Sequence, residues 1–585
     1  MTVILVALVV RGIYLIETAR VPFLKAPVGD ALGYLEWASR IAMGDWIGRE
    51  PFYQAPLYPY VLAVLFRTFG DGVWTIRIAQ SIAGAIGCGL LAIAATRWFG
   101  SRVGVLAGLM LALYPPAFFF DGIVQKASLD AFLVCVLIWI LARITGSATG
   151  TQTSACADPS VGVPAANHSG GASLTGSRLN LAALGVVSAL LCLTRENALV
   201  WLPILAIFAA ALSRAAALQL RIQQVLIYAL GTAVVLFPVG FRNRVVGGEW
   251  SFSTFQAGPN FYIGNHRGAD GRYLPLVAGH ETPAFERADA TRLAEAAMNR
   301  TLTAKEVSRY WMNLAVAEIR ADPRSWLNLL GRKFAMVWND YEVSDVESLA
   351  VYREFSRLTN VLGRCWSFGV LCPLTAVGLC FAWRGFRGWW VLPTLAFALS
   401  VSVAAFFVLA RYRHAVVPLL VPFASVGVIE FTGLVRSGRW KRAGFLTGVA
   451  GAAFLFVHWP VHDERRLDTM AIANLGTTYG AMGDLERAQR FLRLALVHRP
   501  DSAEIHFNLG YALSLGGDDV GAVEHLHRAL AIKPELADVD LLLGQSMEKL
   551  GRTSEARACF KRALAKNPDD DQAKEGLLRT VPLQP

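Results

Sequence analysis

Apolar segments separated by short polar turns dominate residues 1–460 of this 585-residue chain. Most of them approach the roughly 20 residues that a helix needs to cross a bilayer, and the shorter ones require tilt or local thinning. The eleven segments lie near residues 2–19, 73–96, 103–120, 128–142, 180–194, 197–212, 223–241, 366–383, 389–410, 414–434 and 443–460. The pattern predicts an all-α fold, a polytopic bundle of about eleven transmembrane helices.

Longer polar stretches divide this predicted bundle into modules. A loop at residues 20–72 interrupts the N-terminal module, residues 1–241, and contains an amphipathic helix suited to the membrane surface. Residues 145–178 carry mainly small and polar side chains, which predicts a disordered cytoplasmic linker. Residues 242–365 are long enough for a folded unit that covers a site outside the membrane, and residues 366–460 return to transmembrane helices.

Basic residues in the short turns indicate which helix ends are cytoplasmic. If the N-terminus is cytoplasmic, all of these turns lie on the inner side, as the positive-inside rule expects. They contain Arg97, Arg102, Arg143, Arg178, Arg214, Arg221, Arg384, Arg387, Arg436, Arg439, Lys441 and Arg442. The loop with Asp30, the Arg-Tyr-Arg turn at 411–413 and the C-terminus are then expected outside, and a bacterial inner membrane is the expected location.

From about Arg465 onward the chain becomes charged and rich in alanine, and it repeats every 34 residues. Small residues recur where two helices approach closely, and prolines recur where the second helix of each unit ends. The repeating sets are Gly476, Gly510 and Gly544; Ala488, Ala522 and Ala556; Ala495, Ala529 and Ala563; and Pro500, Pro534 and Pro568. Residues 463–585 therefore resemble an α-solenoid of three tetratricopeptide repeats, expected on the same side of the membrane as Asp30.

Charge and cysteine content narrow the possible functions. The net charge of +11 lies largely in short turns between apolar segments, where it sets topology, so we expect no nucleic-acid partner. The eight cysteines contain no CxxC spacing and lie mostly in apolar runs, which predicts neither a disulfide framework nor a zinc site. The N-terminus lacks a basic region and a small-residue cleavage site, and is therefore interpreted as a retained span.

The stretch from Gly29 to Tyr60, GDALGYLEWASRIAMGDWIGREPFYQAPLYPY, holds the first candidate for chemistry. Asp30 is a lone acidic residue at the point where the chain leaves the membrane, followed by the amphipathic helix. Its carboxylate is therefore held at the interface, where it could act on a lipid-borne substrate. An N-cap for that helix is an equally open interpretation of Asp30.

Several stretches resemble one family. Asp30 followed by Tyr34, Ala38 and Gly44, and then by FYQAPLYPY, is similar to the first outer loop of the C-type (GT-C) glycosyltransferases, in the branch of protein O-mannosyltransferases and lipid A aminoarabinose transferases (glycosyltransferase family 39-like). Supporting stretches occur in the expected order: LYPPAFFFDGIVQKASL, LTRENALVWLP, FQAGPNFYIGNHRGADGRY and RYRHAVVP. Ala31 stands where the family usually has a second acidic residue, which argues against a divalent metal at this loop.

The resemblance implies a donor sugar linked to a polyprenyl phosphate, with the lipid phosphate as leaving group. Asp30 matches the catalytic base of the family, which takes the proton of the acceptor hydroxyl. Arg411 and Arg413 match the position where the family binds the lipid phosphate, and planar guanidinium groups suit such contacts. Snorkelling of these two side chains toward the lipid headgroups is the alternative.

Three further residues are candidates because ionisable groups at helix ends in a membrane are costly. Arg195, next to Glu196, is a candidate for donor binding, with an interhelical ion pair as the alternative. Lys126 is a candidate for phosphate binding, and Asp121 for a second acidic residue in the cavity with Asp30. Ordinary interfacial polar residues are the alternative for Lys126 and Asp121.

The sequence thus favours an integral membrane glycosyltransferase, a hexosyl- or pentosyltransferase, acting on the extracytoplasmic face. Its acceptor is the hydroxyl of a protein Ser or Thr, or of a cell-envelope glycan or lipid, with the repeats as a binding site for an acceptor protein. No metal is expected. A transporter or flippase of lipid-linked sugars and a membrane-anchored assembly scaffold are the alternatives, although the helices show no internal repeat of the kind that transporters have.

Overall fold

The computed structural model describes residues 1–146, 171–212, 217–277, 283–382, 388–461, 464–536 and 538–580. All regular structure in these ranges is helical, which confirms the predicted all-α class. The N-terminal module contains α1 (Thr2–Glu17), α2 (Asp30–Ala42), α3 (Leu57–Phe69), α4 (Val73–Phe99), α5 (Ser101–Ala112), α6 (Pro115–Asp121), α7 (Ala127–Gly146), α8 (Gly171–Thr194), α9 (Trp201–Ala211) and α10 (Leu218–Gly247).

The following polar segment forms six helices, and the chain then returns to apolar helices. The six are α11 (Ala257–Asn265), α12 (Pro283–Met298), α13 (Ala304–Ala321), α14 (Pro323–Trp338), α15 (Leu349–Phe355) and α16 (Arg357–Cys365). The apolar group is α17 (Phe368–Ala382), α18 (Val391–Ala404), α19 (Ala410–Arg413), α20 (Val417–Arg436) and α21 (Trp440–Val457).

The C-terminal part contains helix hairpins. Its helices are α22 (Glu464–Ala481), α23 (Leu485–His498), α24 (Ala503–Leu515), α25 (Asp519–Ile532), α26 (Val539–Lys549), α27 (Thr553–Lys566) and α28 (Asp571–Arg579). The repeating glycines lie where the two helices of a hairpin cross, and a Cβ on Gly476 would lie 2.8 Å from Cγ of Leu492. The three predicted repeats correspond to the pairs α22/α23, α24/α25 and α26/α27, with α28 packed at the end.

Each of the eleven predicted apolar segments overlaps a helix, but the helices differ in length. In the described ranges, five are long and apolar enough to cross a membrane, and a sixth crossing results if α5 and α6, bent by 57°, form one span. The five are Val73–Phe99, Ala127–Thr145, Leu218–Gly247, Arg357–Ala382 and Ala410–Arg436. Shorter apolar helices are Leu57–Phe69, Arg178–Thr194, Glu196–Ala211 and Val391–Ala404. The break at Tyr114-Pro115 divides the apolar segment predicted at residues 103–120 into the two shorter helices α5 and α6.

The disordered linker was predicted at residues 145–178, but helices cover both ends of this range. Helix α7 continues to Gly146, and α8 begins at Gly171. The remainder of the linker, residues 147–170, lies outside the described residues.

Backbone contact between apolar helices builds the core of the bundle. Helix α17 crosses α20 where Gly378 faces Phe423, and a Cβ on Gly378 would lie 1.8 Å from the Phe423 carbonyl oxygen. No larger residue fits there without separating the helices. Small residues at crossings are a common means of close packing in membrane bundles.

A buried lysine joins residues 242–365, which we call the outer segment, to the part of the chain that leads to Arg411. Lys333 Nζ donates hydrogen bonds to the Gly264 carbonyl oxygen at 3.0 Å, to Asn265 Oδ1 at 2.9 Å and to the Phe406 carbonyl oxygen at 2.8 Å. Burial lowers the pKa of Lys333 to about 7. These bonds fix α11 and α14 over the end of α18, just before the Arg-Tyr-Arg turn.

The repeat array packs onto the same end of the bundle that carries Asp30. Helix α22 contacts α15 and the short turn Pro22–Leu24. Asn474 of α22 donates a hydrogen bond of 3.2 Å to the carbonyl oxygen of Val346. Residues of the repeats also share one apolar cluster with Phe23 and Tyr352. The repeats and Asp30 therefore lie at the same end of the membrane bundle, as predicted.

Candidate active site

One cavity brings together four of the six predicted site residues. Asp30, Lys126, Arg195 and Arg411 all line it, although they come from four separate parts of the chain. The cavity lies between the ends of the membrane helices and the outer segment of residues 242–365. Besides Asp30, three further carboxyl side chains line it: Glu196, Glu286 and Asp345. The roles that the family resemblance gave to the predicted site residues stay a prediction.

Asp30 owes its position to the glycine before it. Gly29 is the N-cap of α2 and has a φ of 60°, a conformation that favours glycine. A Cβ on Gly29 would also lie 2.7 Å from Val346 Cγ2. Both the backbone conformation and the close approach of Val346 therefore require glycine here. Asp30 is thus the first helical residue and not the N-cap, and its side chain pairs with Arg411.

Arg411 lies between two carboxylates. Its Nη1 pairs with Asp30 Oδ2 and, at 2.8 Å, with Asp345 Oδ2. Burial raises the pKa of Asp30, but the cations of Arg411 and Lys126 and hydrogen bonds from Arg411 and Gln54 outweigh it, so the pKa lies below its usual value. Burial and the Asp30 charge hold the pKa of Asp345 above its usual value, despite Arg411. Asp30 is therefore the more acidic of the two carboxyl groups, and it is ionised at neutral pH.

Arg195 forms an ion pair with Asp130, and its side chain also lines the cavity. Its Nε donates a hydrogen bond of 2.8 Å to Asp130 Oδ2, and its Nη2 donates one of 2.9 Å to the Arg411 carbonyl oxygen. The ion pair with Asp130 fixes the guanidinium at the cavity wall. Nη1 of Arg195 is buried and has no hydrogen-bond partner in the described part of the chain, and the same holds for Nε of Arg411. Two residues that line the cavity thus each keep one guanidinium nitrogen without a hydrogen-bond partner among the described residues.

Lys126 contributes the third positive charge of the cavity. Its side chain is buried, and burial together with the Arg195 and Arg411 charges lowers the pKa of its ammonium, despite nearby Glu196. No ion pair to its ammonium is found among the described residues. An anionic ligand would therefore relieve both the desolvation and the repulsion at Lys126.

Arg413 does not reach this cavity. It pairs with Glu342 at 2.5 Å, donates to the Asn339 carbonyl oxygen and lies 4.2 Å over the ring of Phe368. Residues two apart in one helical turn point in nearly opposite directions, so Arg411 and Arg413 cannot both face one ligand. The side chain of Arg413 is thus used in contacts within the protein, whereas the sequence predicted that it binds phosphate.

Asp121 also lies away from the cavity. Its carboxylate accepts hydrogen bonds from Arg11 Nε at 2.8 Å and from Ser128 Oγ at 2.5 Å. Arg11 and Asp121 are both buried between α1, α4 and α6. The predicted second acidic residue is thus one half of a buried structural ion pair, and Asp345 occupies the place beside Asp30.

Sequence reasoning missed two acidic side chains of the cavity, Asp345 and Glu286. Asp345 belongs to an acid-rich run, residues 340–347, whose composition was the available clue. Glu286 lies on α12 and accepts hydrogen bonds from the hydroxyls of Tyr53 at 3.0 Å and Tyr273 at 3.3 Å. Burial, with a contribution from the Asp30 charge, raises the pKa of Glu286 to about 7, although the Tyr53 hydrogen bond lowers it.

A second, smaller cavity adjoins the same ion-pair group. Asp30, Asp345 and Arg411 line both cavities. The rest of its lining combines apolar side chains such as Phe119 and Phe120 with the polar side chains of Gln125, Glu342, Ser344 and Glu347. A group in the smaller cavity can therefore reach Asp30 from a different direction than a ligand beside Lys126 and Arg195.

The described residues contain no cluster of three or more His, Cys, Asp or Glu side chains that could hold a metal ion. The expectation of a metal-independent site remains a prediction.

Three family models match the chain. The model of dolichyl-phosphate-mannose-protein mannosyltransferases matches residues 53–154, and two tetratricopeptide-repeat models match residues 474–537 and 517–579. No curated protein matches the chain.

Three of the solved structures that match the chain are ArnT, AglB and a tetratricopeptide domain. ArnT from Cupriavidus metallidurans, bound to undecaprenyl phosphate, is 17% identical over 99% of this chain and 84% of its own, with a TM-score of 0.37. The oligosaccharyltransferase AglB from Archaeoglobus fulgidus is 11% identical over 82% of this chain and 55% of its own, with a TM-score of 0.41. The Arabidopsis OM64 tetratricopeptide domain is 22% identical over 20% of this chain and 96% of its own, with a TM-score of 0.20.

The resemblance predicted from the sequence is thus confirmed by the family models, at both ends of the chain. In its membrane part the chain is similar to the membrane glycosyltransferases of the GT-C type, and its C-terminal part is an array of tetratricopeptide repeats.

Proposed function

We propose that this integral membrane protein transfers a sugar from a polyprenyl-phosphate donor to an acceptor hydroxyl. The observation that carries the proposal is the cavity in which Asp30 lies beside Lys126, Arg195 and Arg411. A carboxylate that accepts a proton and cations that receive a phosphate are the two requirements of this chemistry. The match of residues 53–154 to the mannosyltransferase model supports the same conclusion.

The three cations bind the phosphate of the donor. Arg195 Nη1 and Arg411 Nε supply buried donors without partners among the described residues, and Lys126 supplies a buried ammonium. The polyprenyl chain then extends toward the apolar helices, and the sugar projects toward the outer segment. As the bond between the anomeric carbon and the phosphate oxygen breaks, these cations stabilise the charge that develops on the leaving phosphate.

Asp30 acts on the acceptor. The acceptor hydroxyl oxygen attacks the anomeric carbon and forms the new glycosidic bond, and its proton passes to the Asp30 carboxylate. Arg411 lowers the basicity of Asp30 while the donor is absent. When the donor binds, its phosphate takes over part of the interaction with Arg411. The basicity of Asp30 then rises, so donor binding makes Asp30 a better proton acceptor. The smaller cavity on the Phe119 and Phe120 side is the proposed entry of the acceptor.

The reaction is proposed on the extracytoplasmic face of a bacterial inner membrane. The basic turns favour this orientation, and the hydrogen bond from Asn474 to Val346 supports the proposal that the repeats lie on the same side as Asp30. A protein acceptor bound by the repeats would then meet the loop that carries Asp345 and Val346. No divalent metal takes part in this proposal.

The lipid bound to the purified protein tests the proposal. Mass spectrometry of lipid extracted from wild type is expected to detect polyprenyl phosphate or its sugar-linked form. Lys126→Met should retain about tenfold less of it, since one charged contact contributes roughly 1.5 kcal/mol or more. Lys441→Met, at an exposed lysine of a basic turn, is the matched control and should retain the wild-type amount. Equal retention by Lys126→Met and wild type would contradict the assignment of the cavity to a lipid phosphate.

A further inference from the structure

The segment of residues 342–347, which we call the bridging loop, connects the active site to the repeat array. It has no regular secondary structure, and its residues Asp345 and Val346 line both cavities. Helix α15 follows the loop and packs against α22, the first helix of the repeats. A change in the first repeat can therefore reach the reacting groups through this one loop.

Val346 is the residue through which the bridging loop is held. Its carbonyl oxygen accepts the hydrogen bond of 3.2 Å from Asn474 Nδ2. Its backbone N–H donates a hydrogen bond to the Asp345 carboxylate. Its side chain lies against Gly29, where a Cβ would come within 2.7 Å of Val346 Cγ2. One residue thus contacts the first repeat, a carboxylate of the active site and the N-cap of α2.

The earlier part of the bridging loop is tied to the chain that carries Arg411. The backbone N–H of Ala410 donates a hydrogen bond of 2.8 Å to the carbonyl oxygen of Val343. Asp345 Oδ2 lies 2.8 Å from Arg411 Nη1, the nitrogen that also pairs with Asp30. Because the loop lacks the backbone bonds of a helix or strand, contacts such as these fix the place of Asp345 beside Asp30.

The 34-residue period supplies an internal comparison for Asn474. Asn508 occupies the same position in the second repeat, and both side chains lie partly buried on the first helix of a hairpin. Asn508 has no side-chain hydrogen bond in the described part of the chain, and Leu542 occupies this position in the third repeat. The hairpin itself therefore does not require an asparagine here. The asparagine of the first repeat serves the contact with Val346 instead.

We infer that the first repeat is a structural part of the active site, with Asn474 as a positioning residue that holds Val346 and thereby keeps Asp345 beside Asp30. The inference rests on the proposed function, because it gives the bridging loop a task in the same reaction. Asn474 lines neither cavity, so it acts only through the loop. Small displacements near a reacting centre are costly, since the rate depends steeply on geometry. The part of α22 that contacts Val346 is then not free to bind an acceptor protein.

Asn474→Ala in the full-length protein tests the inference, with Asn508→Ala as the matched control. The first measurement is hydrogen exchange of the backbone amides of residues 342–349. The second is release of polyprenyl phosphate from polyprenyl-phosphate mannose, with water and glycerol as the only acceptors. These acceptors are too small to need the repeats as a binding site. Asn474→Ala should exchange faster in the loop and lose about tenfold in turnover.

Binding of polyprenyl phosphate separates positioning from a general loss of structure. Its affinity should stay within about twofold of wild type in Asn474→Ala, because the basic residues of the main cavity are unchanged. Asn508→Ala should match wild type in exchange, turnover and binding.

The inference requires faster loop exchange and lower turnover together in Asn474→Ala, so either change without the other would overturn it, as would wild-type values of both. The same losses in Asn508→Ala would also overturn it, because they would show a general effect of the repeats. Failure of wild type to release polyprenyl phosphate would contradict the proposed function instead. The exchange measurement would then still decide whether Asn474 holds the bridging loop.

Discussion

Asp30→Asn is expected to lower sugar transfer by roughly 10²- to 10⁴-fold, the range that a general base contributes. The amide cannot take up the proton of the acceptor hydroxyl. The fold should persist, because Asn Oδ1 still accepts from Arg411 and Gly29 remains the N-cap of α2. Transfer from polyprenyl-phosphate mannose and binding of polyprenyl phosphate are measured on the same preparation, and binding should stay within about threefold of wild type.

Glu36→Gln provides the matched control for this substitution. Glu36 lies on the same helix but is exposed, and the main cavity does not include it. Wild-type transfer is expected in Glu36→Gln. Full activity of Asp30→Asn would remove Asp30 from the mechanism, and an equal loss in both variants would point to a general effect on α2.

Arg411→Ala is expected to have the second large effect, on stability as well as on donor binding. It leaves the carboxylates of Asp30 and Asp345 without their cation in a mostly buried site, where breaking an ion pair costs about 3–5 kcal/mol. Arg411→Lys keeps the charge but not the planar fork, so it should retain most of the stability and lose part of the affinity for polyprenyl phosphate. Thermal unfolding in detergent and equilibrium binding measure the two effects.

The double variant Arg411→Ala with Asp345→Asn separates folding from binding. The Asp345→Asn change removes one of the two carboxylates that lost their cation, so it should recover much of the lost stability. Polyprenyl phosphate should still bind poorly, because the guanidinium of Arg411 is absent. Wild-type donor affinity in the stabilised double variant would show that Arg411 only neutralises its two carboxylates.

The sequence predicted the broad architecture because hydropathy and spacing are local properties. Apolar runs predicted the helices, and the 34-residue period predicted the hairpins of the repeats. Counting spans placed the repeats on the side of Asp30, and the contact of Asn474 with Val346 agrees with that placement. Helix lengths were less predictable, since local breaks such as Tyr114-Pro115 divide one apolar run into two bent helices.

The site was predictable only in part, because its geometry depends on contacts between distant segments. Family resemblance connected Asp30 with Arg411, which are 381 residues apart and form an ion pair in the structure. The resemblance could not show which of Arg411 and Arg413 lines the cavity, because that depends on the direction of each side chain in α19. Asp345 and Glu286 were missed because they lie in polar sequence where many acidic residues occur without periodicity, and only the packing of the outer segment selects these two.

A mass balance of one reaction tests the central claim most directly. Purified wild-type protein in vesicles is given polyprenyl-phosphate mannose labelled in the sugar, together with a pool of candidate acceptor proteins and envelope glycans from the same cell type. Glycosyl transfer predicts that each labelled sugar on an acceptor is matched by one released polyprenyl phosphate, and that Asp30→Asn abolishes both. Movement of intact lipid-linked sugar across the membrane at the same rate in wild type and Asp30→Asn, with no polyprenyl phosphate released, would contradict the account and identify a transporter.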